Sequence, residues 1–238
     1  MTLSPDAPPD PTGAEVRTRS EKRPVDREVR IKICGVRTAA DVAAVNLLLP
    51  DYVGFVFASG SKRFVISRQA EDLVRALDGR ITPVGVFVDA SLSDVAAAVR
   101  RGIVRMVQLH GSENEAFVSA LRREVGVPIV KAFSMDDDDV LERAERSAAD
   151  YILLDAGRGG TGRTFDWSRA RRLERPFFLA GGLNADNVGA ALRDLRPFAV
   201  DMSTGVETDG AKDPEKMRAA IEAVRGRAVR ETRRETDR

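Results

Sequence analysis

The sequence predicts a single α/β domain folded as a (β/α)8 TIM barrel, and three observations support that prediction. Short apolar runs alternate eight times with longer segments of helical character between residues 30 and 224. Successive runs begin roughly 20 to 30 residues apart, which suits a strand followed by a helix that crosses over and returns parallel. The length of 238 residues is sufficient for one such barrel. A doubly wound open sheet is the alternative, but it usually has fewer strands and a nucleotide fingerprint, which Cys34-Gly35-Val36-Arg37 lacks.

The eight predicted strands are short, as buried parallel strands usually are. They span Arg30–Cys34, Tyr52–Phe57, Pro83–Val88, Met106–His110, Pro128–Phe133, Tyr151–Asp155, Phe177–Ala180 and Ala199–Met202. The helices that follow them are predicted at Thr38–Leu48, Ser67–Leu77, Ser91–Arg101, Glu113–Val125, Asp137–Ala148, Asp166–Leu173, Asp186–Leu195 and Asp213–Val224. Several begin with Ser, Thr or Asp, which are favourable N-cap residues because their side-chain oxygens accept hydrogen bonds from free backbone N–H groups.

The two ends of the chain differ from the central region 30–224, which we assign to the barrel. Residues 1–29 contain five of the eleven prolines and many charges but little periodic apolar character, so we expect a disordered N-terminal extension. Residues 225–238 carry six arginines and three acidic residues, so we expect a charged C-terminal tail that frays in solvent.

The composition excludes several classes of protein. Lys and Arg number 38 against 37 Asp and Glu, so no overall field favours a nucleic acid or a membrane as partner, and an anionic ligand must be bound locally. The single cysteine excludes an internal disulfide, and its free thiol is easiest to keep reduced in a cytoplasmic protein. The sequence also lacks a membrane-length apolar run and a signal peptide.

Two groups suited to proton transfer lie at predicted strand ends. Cys34 ends the first strand, and alternation places Lys32 on the same face, where an ammonium would favour the thiolate. Asp155 ends the sixth strand before a glycine-rich loop that could bend around a ligand. Because the carboxyl ends of parallel strands meet at the active-site mouth, we expect this thiol and this carboxyl to face one pocket. The alternatives are purely structural: Cys34 would be a buried, inert cysteine, and Asp155 would cap the loop that follows it.

Anion-binding groups are expected near the same mouth. Glycine-containing turns follow the last two strands, at Ala180-Gly181-Gly182-Leu183 and at Met202-Ser203-Thr204-Gly205-Val206-Glu207. Barrels often bind phosphate after strands seven and eight through free backbone N–H groups. Arg63 follows the second strand and could bind a carboxylate with two parallel hydrogen bonds.

His110 is the only histidine, and alternation along the fourth strand points it into the barrel together with Gln108. A lone histidine without companion ligands argues against a metal site. We therefore expect His110 to form hydrogen bonds within the pocket or to a substrate.

Eight short motifs follow one another along the chain. They are Lys32-Ile33-Cys34-Gly35, Gly54-Phe55-Val56-Phe57, Ser61-Lys62-Arg63, Val107-Gln108-Leu109-His110-Gly111, Leu154-Asp155, Gly159-Gly160-Thr161-Gly162, Leu179-Ala180-Gly181-Gly182-Leu183 and Asp201-Met202-Ser203-Thr204-Gly205-Val206-Glu207. In this order they closely resemble the phosphoribosylanthranilate isomerase family of tryptophan biosynthesis, over about residues 30–224. Two positions depart from the usual pattern: Ala156 where serine is common, and Lys62 where proline often precedes the arginine.

The resemblance implies an Amadori rearrangement of N-(5-phosphoribosyl)anthranilate to 1-(2-carboxyphenylamino)-1-deoxyribulose 5-phosphate, without cofactor or metal. It assigns Asp155 as the general acid, Cys34 as the general base and Arg63 as the group that binds the anthranilate carboxylate. His110 and Asp201 are expected inside the mouth, where they would position the substrate or the catalytic groups. The residues expected around the phosphate are Gly181, Gly182, Ser203, Thr204 and Gly205.

Two other functions remain open from the sequence. One is another phosphosugar barrel enzyme, such as indole-glycerol-phosphate synthase or a histidine-pathway aminoaldose isomerase, although the pairing of Cys34 with Asp155 argues against both. The other is a catalytically silent phosphate-binding barrel, which would need the anion-binding groups but neither the acid nor the base.

Overall fold

The protein is a closed barrel of eight parallel strands in sequential order, as a computed structural model of the chain shows. The structure describes residues 28–157 and 166–236. The strands are β1 (Arg30–Cys34), β2 (Tyr52–Val56), β3 (Thr82–Phe87), β4 (Met106–Leu109), β5 (Ile129–Ser134), β6 (Tyr151–Asp155), β7 (Phe177–Leu179) and β8 (Ala199–Met202). Every bound lies within one residue of its predicted position, so the predicted (β/α)8 barrel is confirmed.

Helices on the outside connect the strands. They are α1 (Ala39–Leu48), α2 (Ser67–Ala76), α3 (Leu92–Arg100), α4 (Glu115–Glu124), α5 (Val140–Arg146), α6 (Val188–Asp194) and α7 (Pro214–Thr236). A short hairpin, β9 (Glu207–Thr208) with β10 (Ala211–Lys212), lies between β8 and α7. No helix in the described ranges is long and apolar enough to cross a membrane.

The sixth crossover corrects one prediction, because the segment expected as an α-helix at Asp166–Leu173 is a 3-10 helix at Trp167–Arg172. Asp166 caps it through a hydrogen bond from Ser168 N–H, and its last turn closes with Leu173 N–H on the Ala170 carbonyl, three residues back. Only a few residues separate this turn from Pro176, which lacks an N–H and directly precedes β7. A segment this short suits the tighter 3-10 geometry.

The last helix, α7, corrects a second prediction. It continues to Thr236 instead of ending at Val224, so the segment expected to fray as a charged tail is helical up to that residue. Arginine, alanine and glutamate dominate this stretch and are good helix formers, while the single Gly226 costs only about 1 kcal/mol in a helix interior. The predicted disordered extension lies outside the described residues, apart from Glu28 and Val29.

Two layers of apolar side chains fill the part of the chain that the structure describes, one beneath the helices and one in the lower barrel. Ile31 and Ile33 of β1 point outward into the main core beneath the helices, whereas Lys32 and Cys34 point into the barrel. The lower barrel is filled by a cluster that includes Tyr52, Val84 and Phe178, with Tyr151 stacked on Phe198 beside it. Because side chains pack this end of the barrel in the described ranges, we expect a ligand to enter at the mouth.

Candidate active site

The end of β1 places Cys34 beside a buried ion pair. Strand register pairs Lys32 with Asp201 of β8, and their side chains form an ion pair with Lys32 Nζ 2.7 Å from Asp201 Oδ2. Cys34 pairs in register with Gly54 of β2, where a Cβ atom would lie only 2.7 Å from the thiol sulfur. A glycine at this position therefore makes room for the thiol.

The electrostatics around Cys34 differ from the expectation that a neighbouring ammonium leaves a thiolate. Burial raises the pKa of the Cys34 thiol, and the ammonium of Lys32 lowers it by less, so the net shift is upward. Asp201 adds to the rise, while Lys212 opposes it. The same burial would lower the pKa of Lys32, but Asp201 and Cys34 raise it, so Lys32 stays charged. Because Asp201 neutralises much of the ammonium's field, desolvation decides the ionisation of the thiol.

Asp155 ends β6 and faces His110, which follows β4. Asp155 Oδ1 accepts a hydrogen bond from the N–H of Ala156 at 2.8 Å, and Oδ2 lies 3.4 Å from His110 Nε2. Gln108 is 1% exposed, and its Nε2 lies 2.8 Å from His110 Nδ1. When that amide donates, Nδ1 is the acceptor and the ring proton sits on Nε2, directed at Asp155. The expectation that Gln108 and His110 point together is therefore confirmed.

Arg63 lies at the mouth, where it is already bonded to an internal carboxylate. Its Nε and Nη2 donate to Oε1 and Oε2 of Glu207 at 2.7 and 2.6 Å. Lys212 Nζ donates to Oε1 of the same Glu207 at 2.6 Å and to the backbone carbonyl of Ser203 at 3.0 Å. Arg63, which we expected to bind a carboxylate, thus belongs to a largely buried cluster of two cations, Arg63 and Lys212, and one anion, Glu207.

The two glycine turns after β7 and β8 lie against each other. A Cβ atom on Gly205 would overlap the carbonyl oxygen of Leu183, so only glycine permits this approach. Among the described residues, the backbone N–H groups of Gly181, Gly182, Thr204 and Gly205 make no hydrogen bond. Free N–H groups gathered in two adjoining turns form a suitable anion site.

Contacts join these groups into one mouth. The hydroxyl of Ser203 donates to the backbone carbonyl of Cys34 at 3.1 Å, which links the thiol to the second turn. Lys212 links that turn to Glu207 and thereby to Arg63. Within the described ranges, Cys34 and Asp155 share no hydrogen bond, and they end strands on different sides of the barrel. The glycine-rich loop expected after Asp155 falls largely at 158–165, outside the described residues.

Sequence reasoning assigned no role to three residues of this mouth: Gln108, Glu207 and Lys212. Gln108 was expected to face inward, and its spacing of two from His110 was the available signal. Glu207 ends one of the motifs, but its partner Arg63 lies 144 residues away along the chain. Nothing in the sequence around Lys212 distinguishes it from a solvent-exposed lysine.

Comparison with known proteins gives a consistent result. The family described as N-(5'-phosphoribosyl)anthranilate (PRA) isomerase matches residues 31–223. The N-(5'-phosphoribosyl)anthranilate isomerase of Clostridium acetobutylicum is 42% identical over 205 residues, covering 83% of this chain and 98% of that protein. The enzyme of the same name from Endomicrobium trichonymphae is 40% identical over 200 residues, covering 82% and 98%.

Solved structures of phosphoribosyl anthranilate isomerases also align with this chain. The crystal structure of phosphoribosyl anthranilate isomerase from Thermus thermophilus aligns with a TM-score of 0.77 at 32% identity, covering 83% of this chain and 99% of that one. A phosphoribosyl anthranilate isomerase in complex with reduced 1-(o-carboxyphenylamino)-1-deoxyribulose 5-phosphate aligns with a TM-score of 0.73 at 33% identity, with the same coverage. This chain belongs to the N-(5'-phosphoribosyl)anthranilate isomerase family.

Proposed function

We propose that the chain isomerises N-(5'-phosphoribosyl)anthranilate to 1-(2-carboxyphenylamino)-1-deoxyribulose 5-phosphate, with Asp155 as the general acid and Cys34 as the general base. The isomerase activity follows from membership of the family. The observation that carries the residue assignment is the location of both groups at the carboxyl ends of strands, in a mouth that also contains a cation and two anion-binding turns.

The reaction needs one proton delivered and one proton removed. Asp155 gives its proton to the ribose ring oxygen, the bond from C1 to that oxygen breaks, and the lone pair of the anthranilate nitrogen forms an iminium. The thiolate form of Cys34, which is the minor form near neutral pH because burial raises the pKa of the thiol, then takes the proton from C2. Those bonding electrons move to the iminium, which becomes an enolamine. The enolamine tautomerises to the ketone when C1 gains a proton and the C2 hydroxyl loses one. The substrate nitrogen accepts the electrons, so the two side chains are sufficient for the proton transfers.

The remaining side chains bind and orient. His110, held by Gln108, places its Nε2 3.4 Å from Oδ2 of Asp155, where it can orient that carboxyl. Lys32 lowers the pKa of the Cys34 thiol and Asp201 raises it, in addition to the larger effect of burial. Arg63 supplies hydrogen bonds for the anthranilate carboxylate. The phosphate is assigned to the turns with free N–H groups, formed by Gly181, Gly182, Ser203, Thr204 and Gly205.

A substrate panel tests this function. The purified chain is incubated separately with N-(5'-phosphoribosyl)anthranilate and with the substrates of indole-glycerol-phosphate synthase and of the histidine-pathway aminoaldose isomerase. We expect product only from the first. Turnover of another phosphosugar with none of the first would assign a different reaction. Tight binding of reduced 1-(o-carboxyphenylamino)-1-deoxyribulose 5-phosphate without any turnover would indicate a silent barrel.

A further inference from the structure

Glu207 is a buried carboxylate at the mouth to which the proposed chemistry gives no role. It begins β9, directly after the second anion-binding turn, and its side chain is 7% exposed. A buried carboxylate is costly unless it is paired and hydrogen-bonded. Glu207 receives three hydrogen bonds to its two oxygens, two from Arg63 and one from Lys212. Burial alone would raise the pKa of Glu207, but these hydrogen bonds hold that pKa below its ordinary value, so the group is anionic.

The hydrogen bonds from Arg63 fix the direction of its guanidinium group. A guanidinium is planar and carries five N–H donors in a fixed arrangement. Glu207 takes the N–H of Nε and one N–H of Nη2, which form one edge of the plane. Among the described residues, Nη1 makes no hydrogen bond, so its two N–H groups and the second N–H of Nη2 remain. One N–H of Nη1 and the second N–H of Nη2 point in parallel along the adjacent end of the group, which can bind another planar carboxylate with two parallel bonds.

The charge of the cluster also suits an anionic ligand. Arg63 and Lys212 carry two positive charges, and Glu207 carries one negative charge, so the cluster retains one net positive charge. The nearby pair of Lys32 and Asp201 is neutral as a whole. One ligand carboxylate would neutralise the cluster.

Lys212 ties this cluster to the second anion-binding turn. Its ammonium bonds to Glu207 and to the Ser203 carbonyl, and it is almost fully buried. The distance between the free edge of Arg63 and the turn is therefore set by one short chain of hydrogen bonds.

We propose that Glu207 is a positioning residue that orients Arg63 for the substrate carboxylate and sets its distance from the phosphate turn. This inference rests on the proposed role of Arg63. It makes Glu207 a determinant of specificity for ligands that carry a carboxylate and a phosphate at a fixed separation.

Binding of two probes to Glu207→Gln tests the proposal. The first probe is reduced 1-(o-carboxyphenylamino)-1-deoxyribulose 5-phosphate, and the second is the same compound without its carboxyl group. An amide offers one acceptor and one donor, so it can accept only one of the two Arg63 hydrogen bonds and lets the guanidinium turn. We expect Kd to rise about tenfold for the first probe, the scale of one charge-assisted hydrogen bond. For the second probe, we expect Kd to change by less than roughly twofold.

Glu215→Gln is the matched control, because Glu215 is exposed at the start of α7 and, within the described ranges, its side chain pairs only with Arg218. It should leave both Kd values unchanged. Removing a carboxylate from between two cations could unfold the protein, so thermal unfolding is measured beside binding. Glu207→Asp keeps the charge but shortens the side chain. It should raise the Kd of the first probe selectively, by less than Glu207→Gln does.

A double variant separates this inference from the role of Arg63. In the Arg63→Ala background, Glu207→Gln should not raise the Kd of the first probe any further, because the guanidinium that Glu207 orients is gone. Two results would overturn the positioning role of Glu207 and leave the role of Arg63 intact. One is an equal rise of Kd for both probes, and the other is a rise of Kd from Glu207→Gln that is undiminished in the Arg63→Ala background. Unchanged binding of the first probe by Arg63→Ala would overturn the role of Arg63 and this inference with it.

Discussion

Replacing Lys32 or Asp201 should shift the ionisation of Cys34 in opposite directions. Lys32→Met removes an ammonium that lowers the thiol pKa, and Asp201→Asn removes a carboxylate that raises it. Lys32 and Cys34 lie two residues apart on one strand face, about 7 Å along the strand. At an effective dielectric constant near 20, a unit charge about 7 Å away contributes about 2 kcal/mol, and the Lys32 ammonium, whose charge and hydrogen bond both lower the thiol pKa, contributes at least this much. Each variant should therefore change the thiolate fraction near neutral pH by about tenfold or more.

The assay is the pH dependence of alkylation by iodoacetamide, followed by mass spectrometry. Cys34 is the only cysteine of the chain, so the measured rate belongs to this thiol alone. Because burial raises its pKa, wild-type alkylation should still be rising with pH above the ordinary range of a free thiol. The midpoint should move to higher pH in Lys32→Met and to lower pH in Asp201→Asn.

Stability provides the control for this pair. Removing one member of a buried ion pair leaves the other uncompensated and typically costs about 3–5 kcal/mol. Each single variant should therefore have a lower Tm, and the double variant should regain part of the loss because no buried charge is left alone. If the alkylation midpoint moved in the same direction in both single variants, or in neither, the charges of Lys32 and Asp201 would not control the thiol.

Three further substitutions test other parts of the mouth. Gln108→Met removes the hydrogen bond that holds His110 Nδ1, so kcat should fall about tenfold with KM nearly unchanged; a rise in KM alone would contradict this role. Arg63→Ala should raise KM about tenfold or more through loss of a charge-assisted contact, and steady-state kinetics with unchanged KM and kcat would refute it. Gly54→Ala places a Cβ 2.7 Å from the Cys34 sulfur and should lower both kcat and Tm, because overpacking a buried site typically costs about 1–3 kcal/mol; full activity would show that the thiol can move without loss.

The barrel could be predicted because its signals are local. Buried parallel strands read as short apolar runs, and all eight strand bounds agree with the structure to within one residue. The positions of Cys34 and Asp155 at the mouth followed from the same rule, since both end a strand. The helix bounds were less certain because caps decide them: α4 begins after Asn114, whose side chain accepts from Phe117 N–H, and not at the predicted Glu113.

The pairing of side chains across the mouth could not be predicted, because it depends on distances in three dimensions. The ion pair of Arg63 with Glu207 joins residues 144 positions apart, and the pair of Lys32 with Asp201 joins residues 169 positions apart. The thiol was expected to be activated by Lys32, but the balance between desolvation and two opposing charges appears only once burial is known. The contact of His110 with Asp155 could not be predicted either, because it joins the ends of β4 and β6, which are not adjacent in the barrel.

The most direct test of the assigned acid and base is turnover of N-(5'-phosphoribosyl)anthranilate by the wild-type chain, Cys34→Ala and Asp155→Ala, measured as product formation without added metal or cofactor. We predict that each variant folds, still binds reduced 1-(o-carboxyphenylamino)-1-deoxyribulose 5-phosphate, and loses about two orders of magnitude or more in kcat, the scale of a lost general acid or base. Wild-type turnover in Cys34→Ala would contradict the role of Cys34 as base, and wild-type turnover in Asp155→Ala would contradict the role of Asp155 as acid.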